Sequence, residues 1–301
     1  MVRPVHEMPR FAGPWPAELE ARIGLAAECG DCSDLPRVAN AGHLVSVDGE
    51  WFQVMHNGVL TLAGGYYGDW TVDLIARCGG VHEPQEERVF HEVVKRMGRG
   101  AVMLELGCYW AYYAIWFARA VKGARLILVE PIDHRRRVAE RNLAVNGIQA
   151  TLLTAAIGDS TMAAIDFQNG PATASGIEQV AVDDLLDRMH GPVVDLLHAD
   201  IQGFEYAMLR GAARTLGEHR ARFIFISTHR WLEEGKRTDL HQACRERLTA
   251  DGYVIFAEHT PEESFTVDGL LAAHSPDVEP LPAPKISFRK QKSAPAQSVE
   301  W

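Results

Sequence analysis

Acidic and glycine positions fall where apolar runs of this chain stop, and their types limit the chemistry available there. The first such run reads Met103-Leu104-Glu105-Leu106-Gly107-Cys108-Tyr109-Trp110-Ala111. A glycine after a strand lets the backbone turn sharply and approach a ligand closely. A pyrophosphate seat needs G-x-G-x-x-G, but Tyr109 and Tyr112 occupy the second and third glycine positions. The second run ends Leu128-Val129-Glu130-Pro131. An acid at that point accepts hydrogen bonds from ribose hydroxyls in nucleoside-binding folds. The third ends Ala155-Ala156-Ile157-Gly158-Asp159. Its small residues could flank an adenine and its aspartate could accept from the amino group, although an Asx turn accounts for it equally.

The fourth run leads through Asp195-Leu196-Leu197-His198-Ala199 into Asp200-Ile201-Gln202-Gly203-Phe204-Glu205, and the fifth ends at Thr228-His229. Adjacent strands would bring Asp200 and His229 to one edge, near enough to share an acceptor. An unperturbed histidine titrates near neutrality, so His229 is the candidate base for a hydroxyl proton and Asp200 its orienting partner. A histidine that only hydrogen-bonds a loop is the competing reading. Asp200, Glu205 and His229 offer hard ligands without a spacing signature, so no metal is assigned. A lone glycine turn with acids suits a cationic nucleoside without phosphate, such as S-adenosylmethionine, better than a dinucleotide.

These positions need a scaffold. Apolar runs at 102–106, 126–129, 151–155, 193–198, 223–227 and 253–257 alternate with helix-length segments at 111–121, 134–146, 205–216 and 239–251. That alternation predicts an α/β, Rossmann-like parallel sheet covered on both faces, with a last strand over 265–272. Ahead of it lie a short helical pattern at 16–28 and alternating runs over 43–63. Asp48-Gly49 and Asn57-Gly58 punctuate those runs as hairpin turns. Gly64-Gly65-Tyr66-Tyr67-Gly68-Asp69-Trp70 reads as a lid or a packed loop, and 84–97 as an amphipathic helix. The aromatic series from Tyr112 to Phe117 reads as the buried side of a helix, with Tyr109 and Trp110 at the turn the better candidates to meet a ligand. Arg135-Arg136-Arg137 reads as a solvated face, contact with a phosphate on an activated sugar being the minority reading. The division is a 1–80 extension with a β-hairpin, an 81–275 core and a flexible 276–301 tail.

Composition narrows the partners. The 301 residues carry a formal net charge of -10, which argues against nonspecific nucleic-acid binding. No apolar run reaches the roughly 20 residues of a membrane helix, and the opening residues carry no secretory signal. The five cysteines form no disulfide pattern, and Cys29-x-x-Cys32 lacks a second pair for zinc. A cytoplasmic, reduced chain follows, with homo-oligomerisation left open.

Glu105-Leu106-Gly107, Glu130-Pro131, Ala156-Ile157-Gly158-Asp159, the Asp200–Glu205 block and Leu209-Arg210-Gly211-Ala212 together resemble the FkbM methyltransferase family, over about 83–260. Glu83-Pro84 looks like that family's element before the first strand. The resemblance implies a class I S-adenosylmethionine fold and O-methylation of a small-molecule acceptor, a sugar or a natural-product hydroxyl. It implies cofactor contacts from Glu105, Gly107, Cys108, Tyr109, Glu130, Ala156, Ile157 and Asp159, with His229 and Asp200 catalytic. Two departures stand out. Tyr109 replaces the family's asparagine in the first turn, and Gln202 replaces its glutamate, removing a charge near the acceptor. A noncatalytic binding protein on the same fold is one alternative. A nicotinamide-dependent sugar oxidoreductase or epimerase is another, opposed by the missing glycines and by the lack of a core Tyr-x-x-x-Lys pair.

Overall fold

Alternate residues of a strand face opposite sides of its sheet, and both sides of the central strand here are apolar. Leu104 and Leu106 pack into one buried cluster and Met103 into another, which fixes the strand in the middle of a three-layer structure. The computed structural model describes residues 13–169, 172–229, 232–233, 236–237 and 239–289.

In chain order the elements are α1 (Ala17–Glu28), β1 (Leu44–Val47), β2 (Glu50–Val54), β3 (Leu60–Leu62), α2 (Asp69–Arg77), α3 (Pro84–Val94), β4 (Val102–Leu106) and α4 (Tyr112–Ala120). Then come β5 (Arg125–Val129), α5 (Asp133–Val145), β6 (Thr151–Leu153), β7 (Ala156–Ile157), β8 (Met162–Asn169), β9 (Ala172–Val180) and α6 (Val182–Arg188). The last are β10 (Val194–Ala199), α7 (Glu205–Gly211), α8 (Ala213–Gly217), β11 (Ala221–Thr228), β12 (Leu232–Glu233), β13 (Lys236–Arg237), α9 (Leu240–Ala250), β14 (Val254–His259) and β15 (Gly269–His274).

The main sheet has the order β14-β15-β11-β10-β4-β5-β6. The β10–β11, β10–β4, β4–β5 and β5–β6 pairs are parallel, and β15 runs antiparallel to both neighbours. This is the Rossmann-like α/β arrangement that the alternation of apolar runs and helix-length segments predicts. Its register matters most for the site. Leu106 pairs with Val129 on one side and with Ala199 on the other. Gly107, Glu130 and Asp200, each one residue further on, therefore leave the sheet side by side.

The extension does not stand apart from the core. β1, β2 and β3 form an antiparallel sheet, as the two hairpin turns predict, and two asparagines of α5 bind its last strand. Leu62 donates its backbone N–H to Asn142 Oδ1 at 2.7 Å, and Leu60 donates to Asn146 Oδ1 at 3.1 Å. Asn142 in turn donates to the Trp110 carbonyl at 2.8 Å, so hairpin, α5 and first turn are one hydrogen-bonded unit.

Several expectations change. The helix expected over 205–216 is divided at Ala212 into α7 and α8. Helices α2 and α6 and the long β8–β9 hairpin were not foreseen. Part of the expected loose tail is docked: Ser287 donates its backbone N–H to Asp31 at 2.8 Å, and its carbonyl accepts from Gln85 at 2.7 Å. Residues 290–301 lie outside the described residues. Among the described residues no helix is long and apolar enough to cross a membrane.

Candidate active site

A solvent-open cleft of about 480 Å³ lies at the carboxyl ends of β4, β5 and β10. Gly107, Tyr109, Glu130, Asp200 and Gln202 line one part, with Tyr67 from the extension and Arg135 from α5. Val129, Pro131, Ala155, Ile157, Phe167, Ile201 and Phe204 make the rest apolar.

Gly107 is required twice over. Its φ is +78°, and a Cβ built on it would lie 2.0 Å from the Asp200 carbonyl oxygen. That crowding arises because Asp200 donates its backbone N–H to the Leu106 carbonyl at 3.0 Å. The turn then continues through two further left-handed residues that are not glycine, Tyr109 at φ +38° and Ala111 at φ +56°. The family carries asparagine and glycine at these places, residue types that enter this region at low cost.

Glu130 closes the turn from the neighbouring strand. One carboxylate oxygen accepts the Tyr109 N–H at 3.1 Å and the other accepts the Ile132 N–H at 2.9 Å. Burial raises its pKa to about 7, against the opposing pull of Arg135 and the two amides.

The Asp200 carboxylate, with 27% of its side chain exposed, faces His229, whose Nε2 is 3.3 Å from Oδ1. The histidine ring is buried and ringed by acids: Nδ1 lies 2.8 Å from Glu205, and Nε2 lies 3.5 Å from Asp268. Burial opposes charge on this ring, but Asp268 and Glu205 outweigh it and hold its pKa well above the ordinary histidine value. For Asp200 burial again works upward, and the hydrogen bond and charge of His229 overcome it, so its pKa is lowered. The Gln202 amide nitrogen donates to Asp200 at 2.9 Å and sits 2.6 Å from His229 Nε2. Two nitrogens that close share a hydrogen only if the ring nitrogen accepts it. A charged His229 would need an acceptor there, and turning the amide to supply one would set its oxygen against the Asp200 carboxylate, so the charged ring and the Gln202–Asp200 bond compete.

Of the residues expected at the site, Gly107, Tyr109, Glu130, Ile157 and Asp200 line the cleft. Five do not. Glu105, 2% exposed, points to the opposite face from Leu104 and Leu106, where it lies 3.5 Å from His198, a ring that burial keeps in its neutral form. Burial raises its pKa well above the carboxylate range, so it offers no fixed charge to a ligand. Cys108 is packed into the core beside α4, and Ala156 lies buried against Ile132 and Phe167. Asp159 is on the surface, paired with Arg210 at 2.7 Å. His229 stands behind Asp200 and Gln202 rather than in the cleft wall, and a ring already favouring its charged form is a poor proton acceptor. Among the described residues no group of three or more His, Cys, Asp or Glu side chains is arranged to hold a metal.

The residues missed are Tyr67, Arg135 and Phe167 in the lining, and a buried charge network behind it. Glu87 accepts the His82 backbone N–H at 2.7 Å and the Tyr112 hydroxyl at 3.0 Å, and meets His82 Nδ1 at 2.7 Å and His56 Nε2 at 3.2 Å. His82 also meets Glu83 at 2.9 Å. Trp110 stacks on Tyr66 at 4.3 Å over this network and stays out of the cleft lining. The Glu83-Pro84 dipeptide was the available signal, because it begins the helix that carries these acids.

Comparison with known proteins bears on this geometry. Residues 85–255, more than half of the 301-residue chain, match the Methyltransferase FkbM domain. A Jannaschia sp. (strain CCS1) protein provisionally designated a methyltransferase is 24% identical over 237 residues, covering 69% of this chain and 81% of its own length. The ribosomal protein L11 methylase of Lactobacillus delbrueckii subsp. bulgaricus is similar in structure at 14% identity and TM-score 0.42, over 65% of this chain and 80% of that one. The precorrin-6y C5,15-methyltransferase of Geobacter metallireducens GS-15 gives 14% identity and TM-score 0.41, over 65% and 90%. Structural likeness that distant decides nothing about function. The domain match does, and with it the chain belongs to the FkbM methyltransferase family.

Proposed function

We propose that the cleft holds S-adenosylmethionine and that the chain transfers the methyl group to an oxygen of a small hydroxyl-bearing acceptor, a sugar or a glycosylated metabolite. The observation that carries this reading is the convergence of Gly107, Glu130 and Asp200 on one cleft with an apolar far end. That end, with Pro131, Ile157 and Phe167, suits a flat base. Glu130 suits ribose hydroxyls, since a carboxylate oxygen holding one amide retains accepting capacity. Gly107 permits close backbone approach.

The cofactor supplies an electrophilic methyl group on a sulfonium. The chain's own task is to align the acceptor oxygen and take its proton. Asp200 is the residue for the second part: it reaches the cleft, and the neighbouring His229 favours its ionised form. His229 is then a positioning cation rather than the base. The half-buried rings of Tyr67 and Tyr109 in the cleft wall suit the flat side of a sugar ring.

Calorimetry with S-adenosylhomocysteine and with NAD tests the cofactor, and binding of NAD alone would sink the reading. Incubation with methyl-labelled S-adenosylmethionine and a panel of sugars, phenols and amines tests the acceptor. Label appearing only on amines would overturn the oxygen assignment.

A further inference from the structure

Three consecutive arginines open α5, and they do different things. Arg136 and Arg137 lie towards solvent and pair with Asp133, at 2.9 and 2.6 Å. Arg135 turns inward, is only 7% exposed and lines the cleft. Its guanidinium carbon lies 4.7 Å from the ring centre of Tyr109 and 5.9 Å from that of Tyr67. Among the described residues no carboxylate comes within 4.0 Å of it, and its Nε has no hydrogen-bond partner. Glu130, on the neighbouring strand end, instead binds the amides of Tyr109 and Ile132.

A guanidinium presents five donors in a plane, and a buried Nε without an acceptor is costly. Stacking on ring faces is compatible with in-plane hydrogen bonding, and the edge of the group is what a planar anion engages. The residue also stands in the first turn of α5, whose unpaired N–H groups add positive potential. A neutral sugar hydroxyl would use little of this. A carboxylate or phosphate would use the charge, the fork and the helix end together.

We propose that Arg135 receives an anionic oxygen group, a carboxylate or a phosphate, of the molecule bound in the cleft. The inference rests on the reading that this cleft is the ligand site. Two sources carry the same chemistry: the amino-acid carboxylate of the cofactor, and an anionic substituent on the acceptor. Because Tyr67 belongs to the extension and Tyr109 to the first turn, the same contact ties the extension to ligand binding.

Calorimetry on the full chain and on Arg135→Gln separates these sources with three probes. They are S-adenosylhomocysteine, 5′-methylthioadenosine, which is the same nucleoside without the carboxylate, and inorganic phosphate added to the S-adenosylhomocysteine-saturated protein. If the cofactor is the source, the variant binds S-adenosylhomocysteine at least tenfold more weakly and methylthioadenosine within twofold of the parent. If the acceptor is the source, S-adenosylhomocysteine binding stays within twofold while phosphate binding falls at least tenfold. Either pattern supports the proposal. Equal weakening for both nucleosides indicates a damaged cleft and overturns it, as does no change with any probe. Should the parent protein bind neither nucleoside, the cofactor reading fails by itself and phosphate alone judges Arg135.

Discussion

Glu130 accepts the backbone N–H of Tyr109 at 3.1 Å, so the acid ending β5 holds the turn that follows β4. A ribose bound there would share a carboxylate already engaged in shaping its pocket. With the Glu130 pKa raised from 4.5 to about 7, S-adenosylmethionine affinity is expected to rise as pH passes upward through about 7. Glu130→Gln should weaken binding about tenfold or more and flatten that profile. Stability runs the other way. A carboxyl group with a raised folded pKa contributes stability that is fully present below about 4.5 and is lost as pH rises through about 7. Thermal melts of parent and variant between pH 4 and 8 check the sign.

Asp200 and His229 should separate in kinetics. Asp200→Asn is expected to cut turnover by about a hundredfold or more while leaving S-adenosylhomocysteine affinity within threefold of the parent. His229→Ala leaves Asp200, Glu205 and Asp268 facing one another without their cation, and should destabilise the fold by about 3–5 kcal/mol. Full stability with a hundredfold loss of turnover would instead make His229 the base.

The Glu87 network predicts a second stability effect. Glu87→Gln should cost about 3–5 kcal/mol in urea unfolding, because His82 and His56 lose their buried counter-charge. Burial opposes the charge on His82, but Glu83 and Glu87 raise its pKa from 6.5 to about 10. Its contribution is therefore complete below about 6.5 and is lost as pH rises through about 10. The difference in unfolding free energy between the parent and His82→Phe should shrink over that interval; a constant difference would show a neutral ring.

Ala111 holds φ +56° without being glycine. Ala111→Gly should relieve about 1 kcal/mol of left-handed strain, partly offset by the freer unfolded chain. A rise in Tm of at most about 1 °C is expected for a protein of this size, with cofactor binding unchanged. A fall in Tm would mean that the alanine methyl contributes more by packing than the backbone loses.

The sheet was legible because its strands are short, apolar and regularly interrupted, and because its chemistry gathers at their ends. The β8–β9 hairpin was not, since many of its side chains are exposed and its apolar face is confined to a few positions such as Ile165, Phe167 and Ile177. Helix α2 was hidden behind the glycine-aromatic run that precedes it. The acids of α3 looked like the wet side of an amphipathic helix, yet Glu86 and Glu87 are buried. Only tertiary partners could reveal that: Glu86 accepts from Ser227 of β11, and the extension brings His56 to Glu87. Glu105 misled for a related reason. Its place near a strand end is right, but strand alternation sends the side chain beneath α4, away from the cleft.

The position of β15 has a consequence for how the molecule can be cut. It lies between β11 and β14, although it is the last strand among the described residues and begins after the end of the family match at 255. A fragment stopping at that boundary would sever β14 near its start and leave a gap beside β11. The span of evolutionary likeness is thus smaller than the unit that folds cooperatively. Trimming to that span should give aggregation rather than a minimal enzyme.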